Sequence, residues 1–274
     1  MQEGLPLAFR GICGQVSRRN ARGCETPVRR ASRLHSHENK KTRRASVGEA
    51  NDICLVWRLV IADLRAANRA GFPPRGVPAM TKKPCGLITI IPPALETEWA
   101  ERLAEFIKPF KPAALILQGP SGDALKNLLA KAQSAELAVL LVDAVHKTRE
   151  LRANGIYLST PGSGVSNVRI ELGSQSIIGA ACGLSRHMAM ESAEAGADFI
   201  AFDAASPENL AESSDLTAWW DEITGIPSAL FCGRQFPERS SLANARADFL
   251  ILEESERAGA SLTFATEFGL QSQS

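Results

Sequence analysis

The stretch Ser176–Ala204 constrains the fold of this chain more than any other part of the sequence. Two short apolar runs, Ile177–Cys182 and Phe199–Asp203, flank a helical pattern without proline, and Gly196 shortly precedes the second run. This order predicts a βαβ unit, in which a crossover helix connects two parallel strands. Both runs are apolar at nearly every position, which is typical of parallel strands buried on both faces.

The same alternation recurs along the chain and predicts eight strands. They lie at Leu87–Ile91, Ala113–Gln118, Val139–Asp143, Ile156–Ser159, Ile177–Cys182, Phe199–Asp203, Ala229–Cys232 and Phe249–Leu252. Helices are predicted at Ala94–Phe110, Asp123–Ala135, Lys147–Asn154, Val168–Leu172, Ser185–Ala195, Leu216–Ile223 and Leu242–Arg246, with a weak eighth after Glu254. Eight such units over roughly 190 residues fit a short α/β TIM (β/α)8 barrel. A flavodoxin-like open sheet, which needs fewer strands, is the alternative.

The first 79 residues are predicted to be a disordered basic N-terminal extension, and residues 80–274 the barrel. Residues 1–83 contain 17 Lys and Arg against 6 Asp and Glu, whereas the remainder contains 14 against 24. Residues 1–50 have almost no apolar period and cannot bury enough surface to offset the entropy cost of ordering. Residues 53–70 could form one amphipathic helix, and residues 71–78 have the composition of a linker.

Three interpretations of this extension are open. The run Lys40–Arg44 could bind nucleic acid or direct localisation, and an Arg-rich, acid-poor start could be a transit peptide. Alternatively, translation starts at Met80 and the extension has no folded role. We favour the third, because no aromatic residues interleave with the basic ones to stack on bases.

The remaining composition indicates a cytoplasmic protein. The six cysteines form no C-x-x-C pair, so free thiols in a reducing compartment are expected. No apolar run approaches the ~18–20 residues that a membrane-spanning helix needs. We therefore expect no membrane partner and no nucleic acid, and homo-oligomerisation is left open.

Polar and reactive side chains follow the predicted strands at their carboxyl ends, where a TIM barrel carries its chemistry. They are Gln118, Asp143, Ser159, Thr160, Cys182, Asp203, Cys232, Arg234, Glu253 and Glu254. The set combines acids, an amide, two thiols and one arginine.

Several of these segments resemble thiamine-phosphate synthases. Gly155–Leu158, Ile178–Ala180 and Ala193–Ile200 are similar in order and spacing to three motifs of that family, which also includes the related thiazole tautomerases. Leu117-Gln118, Val142-Asp143 and residues 245–250 are similar to three more. The resemblance covers about residues 86–255 and again implies a TIM barrel.

The resemblance also implies an activity and a set of site residues. The family joins a pyrimidine pyrophosphate to a thiazole phosphate and releases pyrophosphate with the help of Mg²⁺. Carried over to this chain, Asp143 is the candidate Mg²⁺ ligand. The predicted substrate-binding residues are Gln118, Cys182, Asp203, Gly233 and Arg234. The catalytic residues stay unassigned, and phosphorylated small molecules are the expected partners of an active enzyme.

Other positions depart from the family pattern where it handles phosphate. No acid follows the fourth strand, no lysine lies in residues 203–208, and the last strand ends in Glu253-Glu254. The His of the tautomerases is replaced by Asp203. Acids close to a phosphate weaken its binding by like-charge repulsion. A non-catalytic paralogue that binds a less anionic ligand or a protein partner is therefore the alternative function.

Each candidate residue also has a purely structural interpretation. Gln118 could satisfy backbone groups at the barrel end, and Asp143 could cap the helix that follows it. Cys182 and Cys232 could be small buried hydrophobic residues. Arg234 is the best candidate for an anion ligand, because a guanidinium pairs bidentately with phosphate.

Overall fold

Eight parallel strands form a closed barrel in sequence order, which confirms the predicted TIM barrel and excludes the open sheet. The computed structural model describes residues 85–119, 122–242, 244–255, 257–270 and 272. The strands are β1 (Gly86–Ile91), β2 (Ala114–Leu117), β3 (Ala138–Val142), β4 (Gly155–Leu158), β5 (Ile177–Gly183), β6 (Phe199–Asp203), β7 (Ser228–Gly233) and β8 (Phe249–Glu253). Strand β8 pairs with β1, with Ile88 opposite Ile251, and this pairing closes the barrel.

The helices that follow these strands form the outer layer. They are α1 (Glu96–Phe106), α2 (Asp123–Ser134), α3 (Val145–Glu150), α4 (Val165–Leu172), α5 (Arg186–Glu194), α6 (Pro207–Ile223) and α7 (Ala260–Phe268). Helix α6 begins nine residues earlier than the predicted start at Leu216, because Ser206 caps its N-terminus and Pro207 occupies the first turn. The weak eighth pattern is the regular helix α7.

One predicted helix is wrong. Residues Leu242–Arg246 do not form a helix, and only the single 3₁₀ turn Ser240–Leu242 lies between β7 and β8 among the described residues. The sequence 242–246 contains one large apolar residue, Leu242, and is too short to stabilise a helix nucleus by itself.

Side chains that point into the barrel form a core of their own. Every residue of β1, β2 and β4 is buried, as expected for strands covered on both faces. Inward positions carry Ile88, Ile90, Ile116, Leu140, Tyr157, Phe199, Phe249 and Ile251 in one cluster. Outward positions pack against the helices in two further clusters, one of which contains Trp99 and the other Trp220.

Strands β5 and β7 each contain an irregularity at their carboxyl ends. The strand register shifts between Ala181 and Gly183 in β5, and between Phe231 and Gly233 in β7. Both glycines have positive φ angles, 57° and 58°, which residues with a Cβ rarely adopt. The irregularity in β5 disturbs its pairing with β6, and that in β7 disturbs its pairing with β8. Both lie at the face of the barrel where the polar residues at the strand ends are found.

Two further predictions concern the whole chain. None of the described helices is long and apolar enough to cross a membrane. The described cysteines Cys182 and Cys232 are free thiols. The predictions for the basic extension, including the domain boundary at residue 80, fall on residues that lie outside the described ranges.

Candidate functional site

A cavity of about 320 Å³ lies at the face of the barrel formed by the carboxyl ends of the strands, hereafter the mouth. Strands β1 to β7, or the residues directly after them, contribute to its wall. The lining residues are Ile90, Gln118, Val142, Tyr157, Ser159, Pro161, Ala181, Gly183, Ala201, Asp203, Ala205 and Phe231. The cavity is therefore mostly apolar with a few polar groups, as small-molecule sites usually are.

Gln118 and Asp203 are the two predicted substrate-binding residues that line this cavity. Gln118 follows β2, and its backbone N–H donates to the carbonyl of Ile91 at 3.2 Å, which fixes the start of the β2–α2 loop. Asp203 ends β6 and accepts hydrogen bonds from the backbone N–H of Ala205 at 3.0 Å and from the Asn209 amide at 3.1 Å. The fold thus brings an amide and a carboxylate from separate strands to one cavity.

Asp143 lies one contact behind the cavity wall. Its carboxylate accepts the backbone N–H of Ser159 at 2.9 Å and also the Ser159 hydroxyl, and Ser159 itself lines the cavity. Asp143 has a φ of 49°, an unusual conformation for a residue with a side chain. The structure therefore gives Asp143 a role in holding the β4–α4 loop, besides the predicted role in metal binding.

Gly233 and Arg234 lie at the carboxyl end of β7 but are not among the lining residues. The Arg234 guanidinium donates to the Glu253 carboxylate, with Nη2 2.8 Å and Nε 3.2 Å from the same oxygen. The Arg234 side chain is 63% exposed and that of Glu253 only 16%. The predicted anion ligand is thus already paired with a carboxylate from the neighbouring strand.

Cys182 does not face the cavity. Side chains alternate along β5, so Ala181 and Gly183 line the cavity and Cys182 packs outward in the cluster that contains Trp220. The thiol is 1% exposed, and burial raises its pKa to about 11. Cys232 is equally buried, and burial raises its pKa to about 12. Both thiols match the structural interpretation as small hydrophobic residues.

Two aromatic residues of the cavity wall were not predicted. Tyr157 on β4 and Phe231 on β7 line the cavity. Burial raises the pKa of the Tyr157 phenol above its usual range, so this side chain is neutral at physiological pH. The alternation of β4 could have indicated Tyr157, because Ile156 and Leu158 on either side face the helices.

A magnesium site made by protein side chains alone does not fit the mouth. Among the described residues, no three His, Cys, Asp or Glu side chains lie close enough to hold a metal ion. Both oxygens of the candidate ligand Asp143 accept hydrogen bonds from Ser159. Mg²⁺ prefers several oxygen ligands and is often held by one or two carboxylates together with substrate phosphates. Asp143 therefore stays a predicted Mg²⁺ ligand, and the described residues provide no metal-binding group of three side chains around it.

The sequence comparisons name one family. No family model matches the chain. A thiamine-phosphate synthase from Hyphomonas neptunium is 36% identical over 128 residues, which are 45% of this chain and 58% of the relative. A thiamine-phosphate synthase from Rhodospirillum centenum is 27% identical over 180 residues, 61% of this chain and 87% of that protein. The chain is similar in sequence to thiamine-phosphate synthases.

This relationship confirms the resemblance found in the sequence, but the alignments are partial. The alignment with the synthase from Erythrobacter litoralis also covers 58% of that protein, at 32% identity, so this chain spans less than two thirds of two of these synthases. The thiamine phosphate pyrophosphorylase from Pyrococcus furiosus has a similar structure, with a TM-score of 0.52. The similarity covers 67% of this chain and 96% of the pyrophosphorylase. At 16% identity it supports the shared fold alone.

Proposed function

We propose that this chain is a thiamine-phosphate-synthase-like protein that binds a small heteroaromatic ligand at the barrel mouth. The observation that carries the proposal is the convergence of Gln118, Ser159 and Asp203 from separate strand ends on one cavity. The relationship to thiamine-phosphate synthases supports a ring of the kind found in thiamine. A volume of about 320 Å³ is at the small end of the range for ligand sites, so a ligand of one or two rings fits.

The lining residues support specific roles in binding. The Gln118 amide can donate and accept at the same time, which suits the edge of a nitrogen heterocycle. Tyr157 and Phe231 offer aromatic surface for stacking on the ring. Asp203 places an acidic side chain in the wall, and an acid favours an amino group or a positively charged ring nitrogen.

The charges around the cavity favour a ligand with few phosphate groups. Asp203 lines the cavity, and Asp143 lies behind Ser159. The cation Arg234 is held by Glu253. A ligand with two or more phosphates would meet these acids, and like-charge repulsion opposes its binding in a partly desolvated cavity. It would also share the exposed Arg234 guanidinium with Glu253. A neutral or cationic ligand meets neither cost.

The second candidate is the complete synthase reaction, in which a pyrimidine pyrophosphate is joined to a thiazole phosphate and pyrophosphate is released. The 27–36% identity to thiamine-phosphate synthases favours it. Asp143 would then hold Mg²⁺ jointly with the substrate pyrophosphate, and Arg234 would leave Glu253 to bind a phosphate.

One assay separates the two candidates. Wild-type protein is incubated with both phosphorylated substrates and Mg²⁺, and thiamine phosphate is quantified by chromatography. Our proposal predicts no product above the enzyme-free control. Thiamine phosphate formed by wild type and lost in D143A would establish the synthase reaction instead. The control E150A, which removes an exposed acid from α3, should keep the product.

Ring binding is tested by calorimetry with thiamine as the probe. We expect saturable binding by wild type and roughly tenfold weaker binding by Q118L, because the variant loses a hydrogen bond to the ring at nearly constant side-chain volume. Q175L is the matched control, since Gln175 is exposed at the opposite end of the barrel, before β5. Equal affinity of Q118L and wild type would contradict the role of Gln118.

A further inference from the structure

Glu254, the residue directly after β8, has a carboxylate that is buried at the N-terminus of helix α7. The residue is 0% exposed although it is charged in its usual form. Its oxygens accept the backbone N–H groups of Ala260 at 3.1 Å and Ser261 at 3.3 Å, together with the Ser261 hydroxyl at 2.6 Å. The carboxylate thus accepts N–H groups of the first turn of α7, where the helix itself provides few acceptors, and it shares the Ala260 N–H with the carbonyl of Arg257 at 3.4 Å.

The hydrogen bonds around Glu254 continue into the barrel wall. The Ser261 oxygen lies 3.0 Å from the hydroxyl of Thr89, a fully buried residue of β1. Since the Ser261 hydroxyl donates its only proton to Glu254, Thr89 must donate to Ser261. The chain Thr89 to Ser261 to Glu254 ends on a group that accepts every bond, as an ionised carboxylate does. Burial raises the pKa of Glu254, and the hydrogen bonds from Ser261 and from backbone N–H groups oppose that rise.

The position of this carboxylate is one that other barrels use for ligand phosphates. Helix N-termini attract anions through their free N–H groups and the helix dipole. In TIM barrels, phosphate sites often form from the loops after strands 7 and 8 and a helix N-terminus. The site also adjoins the mouth, because the Glu254 N–H donates to the carbonyl of Ile90 at 2.9 Å, and Ile90 lines the cavity.

A nearby cation at the end of β7, Arg234, is also paired with a carboxylate. Arg234 at the end of β7 pairs with Glu253 at the end of β8. Two features on the β7–β8 side that could attract an anion, the α7 N-terminus and the Arg234 guanidinium, are therefore occupied by carboxylates of this chain, whereas Arg257 in the loop before α7 is an exposed cation.

We propose that the Glu254 carboxyl group, by occupying the α7 N-terminus, excludes phosphate from the β8 side of the mouth and so determines specificity for ligands without a phosphate at that end. This rests on the proposed function only for the identity of the ligand, since the exclusion of phosphate follows from the contacts of Glu254 itself. Glu254 is a specificity-determining residue and takes no part in a chemical step.

The test is the binding of inorganic phosphate by calorimetry to wild type, E254S and E253S. The serine in E254S removes the carboxylate and leaves space beside the α7 N–H groups. We expect phosphate affinity to rise by roughly tenfold or more over wild type, the gain that a helix N-terminus and its N–H groups give an anion. E253S is the matched control, because it removes an acid from the adjacent position and frees only the exposed Arg234. We expect a smaller gain for this variant.

Three results would overturn the proposal. The first is that E254S binds phosphate no more tightly than wild type. The second is that E253S binds phosphate as tightly as E254S or more tightly. The third is saturable phosphate binding at the N-terminus of α7 in wild type. The last is read from the amide resonances of Ala260 and Ser261, which must stay unshifted when phosphate is added. A shift of these resonances would overturn the proposal whether or not E254S folds.

Thiamine binding to the same preparations keeps the two proposals apart. If E254S gains affinity for phosphate but wild type does not bind thiamine, the proposed function is refuted and the role of Glu254 stands. Thiamine binding without a phosphate gain refutes the role of Glu254 alone.

Discussion

Asp203 and Glu254 both follow strands at the mouth, and both carboxylates accept hydrogen bonds from backbone N–H groups of the loop or helix that follows. They differ in burial. Asp203 is half-buried and lines the cavity, whereas Glu254 is fully enclosed. An acid at the end of a strand can therefore accept N–H groups of the next element and still face the ligand cavity, as Asp203 does. It can also accept such groups while fully buried, as Glu254 does, and we infer that it then excludes a ligand phosphate. The residue type alone does not distinguish these cases.

Glu96 is a buried acid near the mouth whose environment predicts a pH effect on stability. It begins α1, is 4% exposed, and its Oε1 atom has no hydrogen-bond partner among the described residues. Burial raises its pKa above the ordinary 4.5, against a lowering contribution from the N–H of Gly119. A raised pKa in the fold means that Glu96 stabilises the protein while protonated, and that this contribution is lost as pH rises through the raised value.

We expect E96Q, which cannot titrate, to gain stability relative to wild type as pH rises from below 4.5 through the raised pKa. The difference in the free energy of unfolding, measured by urea denaturation across this range, should then level off. E101Q, which changes an exposed acid of the same helix, is the matched control. Parallel pH curves for E96Q and wild type would show that Glu96 ionises in the fold without cost.

At the scale of elements, motif residues shared with thiamine-phosphate synthases have structural roles in this barrel. Asp198, before β6, accepts the N–H of Ile178 on β5 at 2.8 Å and pairs with Arg169 at 2.6 Å. Gly179 on β5 leaves room for a ring, because a Cβ there would lie 2.1 Å from the Phe199 side chain. These motif residues are therefore informative about the fold and say little about the chemistry.

The same carboxylate or amide contact recurs around the amino-terminal end of the barrel. Asn154 before β4 accepts the N–H of Val139 at 2.9 Å, and Asp248 before β8 accepts the N–H of Ser228 at 2.9 Å. Together with Asp198, these side chains connect each of the even strands β4, β6 and β8 to the strand before it. The contacts extend the strand ladders by one side-chain hydrogen bond each.

Gly155 on β4 is a second position where packing excludes a side chain. A Cβ would lie 2.0 Å from the backbone oxygen of Ile177 and 2.7 Å from the Leu140 side chain. Since the backbone of β5 cannot move without breaking the ladder, we expect G155A to lower the free energy of unfolding by about 1–3 kcal/mol or more. The measurement is chemical denaturation at neutral pH.

G225A is the control for this prediction, because nothing lies within 4 Å of a Cβ at Gly225. Its effect should stay within about 0.5 kcal/mol, as for most surface substitutions. Gly→Ala reduces the conformational entropy of the unfolded chain and so opposes a loss of stability. A loss in G225A as large as that in G155A would therefore contradict the close approach of β4 and β5 as the cause of the G155A effect.

The elements were predictable wherever their pattern was strong. All eight strands are apolar on both faces, so a short run between turns identifies them without alternation. Helix α6 was predicted too short because its first half carries the polar sequence Glu208 to Asp215, and only the Ser206-Pro207 start marks its beginning. The segment after β7 was predicted as a helix because it repeats the position of helices in the other units.

The site was predictable only in part, because strand ends place a residue at the mouth without fixing its direction. Gln118 and Asp203 reach the cavity, while Cys182 points to the helices and Arg234 turns to Glu253. The burial of Glu254 depends on Ser261 and Thr89, seven residues after it and on another strand. Such long-range contacts leave no local pattern in the sequence.

At the scale of the whole molecule, a barrel similar in sequence to thiamine-phosphate synthases carries acids around its mouth. Asp203 lines the cavity, Asp143 supports its wall, Glu253 pairs with Arg234, and Glu254 occupies the N-terminus of α7. The packed scaffold and the charge at the mouth are set by different residues, so the fold can be kept while ligand charge changes.

The most direct test of this account compares thiamine and thiamine phosphate as ligands of the wild-type protein by calorimetry. The two probes share both rings and differ by one phosphate, so their affinity ratio reports the charge preference of the mouth. We predict that thiamine binds saturably, with an affinity at least roughly tenfold higher than that of thiamine phosphate. Tighter binding of thiamine phosphate would contradict the account, because the mouth would then have to attract the group that its carboxylates are inferred to exclude.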